Sequence, residues 1–352
     1  MPSGSSSTLR ALVIGENSTS LSHAVLLAHH GVETTLLEDD ESGVVRSRDF
    51  LKRLYDGQPD WQADIIKPTP LSFERLSGHF DVLIDAGDAA LKERVQKLST
   101  ISEHLNPDTL IGFQTSTPDP LVSKAQDVEF PTLYQFQILG QPHLATLVEW
   151  ATFENTDNDT FTQFWRMLGK QTIITKPNGQ FVASRLSSKL YETLDDLLLE
   201  GALPYEVDEA LTKFGFQIGP YEAQDLTGLD GPFFERKRTN KVSVISDRLV
   251  QEGRLGKKVG VGWYRYPGGG GAVIDPLLED LIVEEARFAK VERRALTNQE
   301  IVSNVVAALV DEATLILEKG IVQTASDLDT LSMQALHFPH GGICAYAGKH
   351  SS

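Results

Sequence analysis

Phe214-Gly215-Phe216-Gln217-Ile218-Gly219-Pro220-Tyr221-Glu222 runs on to Asp225-Leu226-Thr227-Gly228-Leu229-Asp230. Glu252-Gly253-Arg254-Leu255-Gly256-Lys257-Lys258 and Gly260-Val261-Gly262-Trp263-Tyr264-Arg265-Tyr266 follow. These stretches lie in a region that reads as helical. From Gly179 onward short apolar runs give way to long amphipathic ones, and Phe181 to Leu199 carries no helix breaker. Pro267-Gly268-Gly269-Gly270-Gly271-Ala272 reads as a flexible joint and a domain boundary. The region also repeats itself. Leu190-Tyr191-Glu192, Gly201, Asp208 and Phe216 to Pro220 have counterparts in Leu309-Val310-Asp311-Glu312, Gly320, Asp329 and Phe338 to Gly342. The interval is too long for a solenoid period and points to one helical domain present twice.

Upstream, the periodicity is that of an α/β sheet. Leu9 to Ile14 is a short apolar run stopped by Gly15, which suits a buried parallel strand. Leu21 to His30 carries apolar residues at helical spacing and ends at Gly31; Val32 to Leu37 is a second strand. Strand, helix and strand at this spacing make a βαβ unit. Phe80–Asp85, Thr109–Phe113, Thr132–Ile138 and Thr172–Thr175 read as further strands. The expected fold class is an α/β Rossmann-like domain (1–176) followed by two related all-α helical domains (177–270 and 271–352).

Bulk properties narrow the function. A chain of 352 residues is too long for one compact core. Its formal net charge of −17 repels phosphate backbones, so nucleic acid is not an expected partner. No apolar run reaches membrane-spanning length. Met1 to Ser7 lacks the basic start and apolar core of a signal peptide, and His350-Ser351-Ser352 is not a peroxisomal address. A lone Cys344 excludes internal disulfides, and the histidines show no metal-ligand spacing. A soluble protein of a reducing, cytoplasmic compartment is expected, with no metal.

The quoted helical stretches resemble the C-terminal domain of the 3-hydroxyacyl-CoA dehydrogenase family, which oxidises 3-hydroxyacyl thioesters with NAD in fatty-acid β-oxidation. With the repeat, the chain resembles the dehydrogenase part of the multifunctional fatty-acid oxidation enzymes from about Leu9 to about Gly348. The hydratase part of those enzymes has no counterpart here. The resemblance implies helical domains of the 6-phosphogluconate-dehydrogenase C-terminal type, an NAD cofactor, an acyl-CoA ligand, and a monomer or homodimer.

A Rossmann phosphate loop needs glycine for a tight turn, for backbone approach to pyrophosphate and for close helix packing. Those positions read Gly15, Asn17 and Ser20 here. Asn17 can enter left-handed backbone space better than most residues, which would keep the turn, while its side chain would project where pyrophosphate lies. Glu16 adds a carboxylate nearby, and Glu38 falls at the ribose-binding position. NAD binding is therefore expected to be weak or lost.

The resemblance also implies a catalytic set: a His base, a Glu that orients it, and a Ser and an Asn that place substrate. Leu147-Val148-Glu149 matches the family's Leu-Val-Glu, making Glu149 the orienter, and Gln114-Thr115-Ser116 keeps the Ser as Ser116. The family's His-Phe-Phe-Asn-Pro aligns with Tyr134-Gln135-Phe136-Gln137-Ile138, which puts Tyr134 at the base and lengthens the stretch before Glu149. Ser184 replaces the Asn. A Tyr holds its proton at neutral pH, since its unperturbed pKa is about 10. His143, in the loop before Glu149, is an alternative base. Arg254, Lys257 and Lys258 either meet CoA phosphates or lie on a solvated helix end capped by Gly256; Trp263, Tyr264 and Tyr266 read as domain packing. Two functions stay open: a weakened NAD-linked oxidoreductase, or a pseudoenzyme that binds acyl-CoA or protein.

Overall fold

A computed structural model describes residues 8–15, 17–38, 40–55, 65–70, 76, 78–119, 133–153 and 158–350. The expectations for the N-terminal tail, Glu16 and the last two residues fall outside them. Contacts divide the chain into two units: residues 1–182 with 320–323, and residues 183–319 with 324–352.

The first unit is built on an eight-stranded sheet of order β3-β2-β1-β4-β5-β6-β7-β8. Its strands are β1 (Arg10–Ile14), β2 (Glu33–Glu38), β3 (Ile66–Pro70), β4 (Phe80–Asp85), β5 (Leu105–Gln114), β6 (Leu133–Ile138), β7 (Leu147–Ala151) and β8 (Gln171–Thr175). Neighbours pair in parallel except β6 with β7. Helices α1 (Ser18–His29), α2 (Glu41–Leu54), α3 (Leu91–Lys97) and α4 (Asn158–Met167) accompany it. The order reverses between β1 and β4, the switch point at which Rossmann folds place their ligands. Sequence reading missed β3, whose Pro68 and Pro70 argue against a strand. Both are tolerated because β3 is an edge, paired only with β2.

The second unit is helical: α5 (Val182–Glu200), α6 (Pro204–Phe214), α7 (Pro220–Thr227), α8 (Asp230–Arg238), α9 (Val244–Gln251), α10 (Pro276–Phe288), α11 (Asn298–Glu318), α12 (Ala325–Leu336) and α13 (Ile343–His350). Two buried carboxylates hold residues 214–230 and 252–266 in place. Asp208 accepts from the N–H groups of Tyr221 and Glu222 at the start of α7 (3.0 Å each) and from the Tyr264 hydroxyl at 2.8 Å. Asp225 accepts from the N–H groups of Trp263 and Tyr264 (2.9 Å each) and from the Tyr266 hydroxyl at 3.0 Å. The glycines follow from this crowding. A Cβ on Gly262 would stand 1.9 Å from Asp225 Oδ1, and one on Gly219 would stand 2.2 Å from Asp208 Cγ.

The same device recurs in the repeat. Asp329 accepts from the N–H of Cys344 at 2.6 Å, at the start of α13, and a Cβ on Gly342 would stand 2.4 Å from Asp329 Cβ. Phe216 and its counterpart Phe338 meet edge to face, with ring centroids 5.7 Å apart. Pro267 to Gly271, expected to be a joint, instead forms the tip of a small hairpin in which Arg265 and Val273 exchange backbone hydrogen bonds of 2.9 Å. Glycine there serves the turn: Gly268 and Gly269 have φ of +61° and +75°.

Gly262→Ala is expected to destabilise the helical unit by about 3 kcal/mol in denaturant unfolding, because the added methyl overlaps a carboxylate that cannot retreat. Burial raises Asp195 from 3.8 to about 7, against a hydrogen bond from Ser243 and the charge of Arg236. A carboxyl whose pKa is raised by folding favours the folded state below its unfolded pKa, and that contribution is lost as pH rises through the folded value. In thermal unfolding the native chain should therefore lose stability relative to Asp195→Asn as pH rises from 4 to 7.

Candidate active site

Gly15 leaves β1 with φ +138°, and a Cβ there would stand 3.0 Å from Gly87 N in the loop after β4. The turn is therefore a place where only glycine fits. Asn17 is the N-cap of α1, with φ −112° and ψ 170°; it is extended, not left-handed as the sequence suggested. Its Oδ1 accepts from Thr19 N at 3.1 Å and Ser20 N at 2.9 Å. Its Nδ2 donates to Ala86 O at 2.8 Å and Asp88 Oδ1 at 3.0 Å. The side chain thus folds back over the helix start. Ser20 is buried and donates to Gly15 O at 2.6 Å, locking the turn to α1. Glu38 ends β2 as expected, but its carboxylate is buried and accepts from the Ser47 hydroxyl of α2.

Beyond the switch point, Arg94 clasps the strand ends. It meets Asp85 Oδ1 at 2.8 Å and donates to Gln114 O at 2.9 Å, with its guanidinium over the Phe113 ring. Gln114 Oε1 accepts from His23 Nε2 at 2.5 Å. Burial lowers His23 from 6.5 to about 4, so this imidazole is neutral and already engaged.

Glu149 is fully buried at the middle of β7. Its Oε1 accepts from Val182 N, the first residue of α5, at 2.6 Å, where the helix dipole favours a negative charge. Its Oε2 accepts from the Gln137 amide at 2.8 Å, and Gln137 is the residue directly opposite it across the antiparallel β6–β7 pair. Gln137, not Tyr134, therefore stands where an imidazole oriented by Glu149 would stand. Tyr134 lies on the other face of β6, stacked on Phe161 at 4.2 Å and edge-on to Trp150. Gln137 is three residues beyond Tyr134, so the apparent lengthening of the loop before Glu149 also disappears. The clue was strand alternation: Tyr134, Phe136 and Ile138 share the apolar face, leaving Gln137 on the face of Glu149.

Ser116 is half-buried after β5, and its carbonyl accepts from Phe181 N at 3.1 Å. Ser184 lies in the first turn of α5, next to Arg185, which pairs with Glu312. His143 is tied to α1: its Nδ1 meets Ser22 Oγ at 2.6 Å, and burial lowers its pKa. That contact does not serve Glu149. The cations of 254–258 are engaged within the helical unit. Arg254 pairs with Asp275 at 2.7 Å, Lys258 with Asp230 at 2.6 Å, and Lys257 sits over the Tyr266 ring. Among the described residues, no group of three or more His, Cys, Asp or Glu is placed to hold a metal, and no helix is long and apolar enough to cross a membrane.

Residues 181–266 match the family model of the 3-hydroxyacyl-CoA dehydrogenase C-terminal domain. The peroxisomal bifunctional enzyme of Danio rerio is 30% identical over 296 residues, covering 76% of this chain and 41% of that protein. The fatty acid oxidation complex subunit alpha of Acinetobacter baumannii is 28% identical over 301 residues, covering 80% and 41%. The chain belongs to the 3-hydroxyacyl-CoA dehydrogenase family. It spans about two fifths of the length of these curated relatives. In fold it is similar to Escherichia coli 3-hydroxybutyryl-CoA dehydrogenase, with TM-score 0.75 and 18% identity, over 98% of this chain and 92% of that one. The dehydrogenase part of the C. elegans multifunctional enzyme gives TM-score 0.63 and 21% identity, over 95% and 80%.

In this family member, therefore, the sheet and helical units are kept while the Glu149 carboxylate faces an amide. Glu149→Leu removes the acceptor of two buried donors, the Val182 N–H and the Gln137 amide. It is expected to cost about 2–4 kcal/mol in equilibrium unfolding.

Proposed function

We propose that this 3-hydroxyacyl-CoA dehydrogenase-family protein belongs to acyl-CoA metabolism and that its NAD-linked hydride transfer is weakened or lost. The hydrogen bond from Gln137 to Glu149 carries the reading. A carboxamide does not take up a proton near neutral pH, so the pair offers orientation without a base. Loss of a positioned general base costs roughly 10²- to 10⁴-fold in rate. His23 and His143 make no substitute, since each is bound to another partner and its pKa is lowered by burial.

A second reading follows from the same pair: a pseudoenzyme that retains a place for acyl-CoA or a protein partner. The packing of Phe216 on Phe338 favours a monomer, because the repeat supplies within one chain the self-complementary contact of a twofold dimer. Some of the relatives are peroxisomal bifunctional enzymes. A reducing compartment, most simply the cytosol, is our proposal for this chain.

The test is acetoacetyl-CoA reduction by NADH, followed at the nicotinamide absorbance. The unaltered chain is expected to show little or no turnover. Adding Gln137→His to Asn17→Gly should raise the rate at least about 10²-fold over Asn17→Gly alone, whereas Tyr134→His in that background should not. Brisk reduction by the unaltered chain, abolished by Glu149→Gln, would show that the base has been misassigned.

A further inference from the structure

NAD is the cofactor that the family implies, and its fit can be judged from the groups that a dinucleotide needs. A Rossmann pyrophosphate lies at the start of the first helix, taking hydrogen bonds from backbone N–H groups. In this chain Asn17 Oδ1 already takes the N–H groups of Thr19 and Ser20. The other half of the carboxamide reaches across the switch point, between the ends of β1 and β4, to Ala86 O and Asp88 Oδ1. An asparagine side chain has an acceptor oxygen and two N–H donors. Here the oxygen accepts twice and the nitrogen donates twice, so the group is saturated.

The ribose end is satisfied from within as well. Glu38 is 5% exposed and accepts from Ser47, itself 7% exposed. A Cβ on Gly43 would stand 2.9 Å from Glu38 Oε2, so the carboxylate lies against α2. A ribose diol would have to displace an internal partner. Asp88, exposed beside the crevice, adds a negative charge where a diphosphate would arrive. The residues present do not fit a dinucleotide.

We infer that Asn17 is an internal ligand of the dinucleotide crevice, its carboxamide standing in for pyrophosphate, so that the first unit is complete without a nicotinamide cofactor. Where the dinucleotide motif calls for glycine, this chain has a side chain that takes up the amides itself. Two consequences of opposite sign follow. Removing the carboxamide opens the crevice to a dinucleotide, and it also loosens the apo protein by unlinking α1 from the loop after β4. A position that had merely decayed would show neither.

The experiment measures NADH binding by calorimetry on the full chain, with no acyl substrate, together with thermal unfolding. The unaltered chain is expected not to saturate at about 1 mM NADH, the upper end of ordinary cofactor affinities. Asn17→Gly should bind at least tenfold more tightly and melt about 2–4 °C lower without NADH. Asn17→Asp keeps the capping oxygen, loses the donors and adds a charge; it should gain no binding. If Asn17→Gly does not fold, Asn17→Ser serves instead, since its hydroxyl caps α1 but is too short to reach the β4 loop, and it should show a smaller gain. Micromolar binding by the unaltered chain, or no gain in the folded variant, overturns the inference. The inference rests on the family reading only for the choice of NADH. Because Gln137 is untouched, a gain of binding without turnover leaves the loss of the base standing, and turnover by Asn17→Gly alone sinks that loss while leaving the crevice assignment intact.

Discussion

A helix that starts inside a protein exposes N–H groups with no partner in the preceding turn, and burying them unpaired costs about 1–3 kcal/mol each. This chain meets that constraint repeatedly with side-chain oxygens. Asn17 serves α1, Glu149 serves α5, Asp208 serves α7 and Asp329 serves α13. The rest of the structure is arranged around those oxygens. Gly219 and Gly342 leave room for the carboxylates, and Asp225 uses the same chemistry to pin the Trp263–Tyr266 turn without a helix.

At two of these places the constraint coincides with chemistry. The first-helix amides and the carboxylate of β7 are the groups a hydride-transfer enzyme would aim at a cofactor and at a base. Here a carboxamide takes each of them, Asn17 for the amides and Gln137 for the carboxylate. Both carboxamides are hydrogen-bonded within the sheet unit. Tyr134, Phe136, Trp150, Phe161 and Trp165 form a close aromatic core on the far face of the same strands. Packing and chemistry occupy opposite sides of β6, so one can change while the other is kept.

Much of the fold was legible in the sequence because it rests on local rules. The βαβ opening showed in apolar runs bounded by Gly15 and Gly31, and β4 was read to the residue. The helical unit showed in its glycines and acids, whose spacing reflects the crowding around Asp208 and Asp225. What failed was long-range. Glu149 could be named from its neighbours, but its partner depends on the β6–β7 register, and matching residue types selected Tyr134 where pairing selects Gln137. Asn17 was read as a side chain in the way of a ligand; its capping of α1 is local, but the hold of its amide nitrogen on the loop after β4 depends on Ala86 and Asp88, far along the chain. The cations at 254 and 258 looked available only because Asp275 and Asp230 lie elsewhere in sequence.

The meeting of Phe216 with Phe338 has a genetic side. In a homodimer each substitution is expressed in both subunits, and matched surfaces must change together. Joined in one polypeptide, the halves inherit mutations separately. Asp225 and its aromatic turn can be refined in one half with no obligation on the other, so asymmetry becomes heritable.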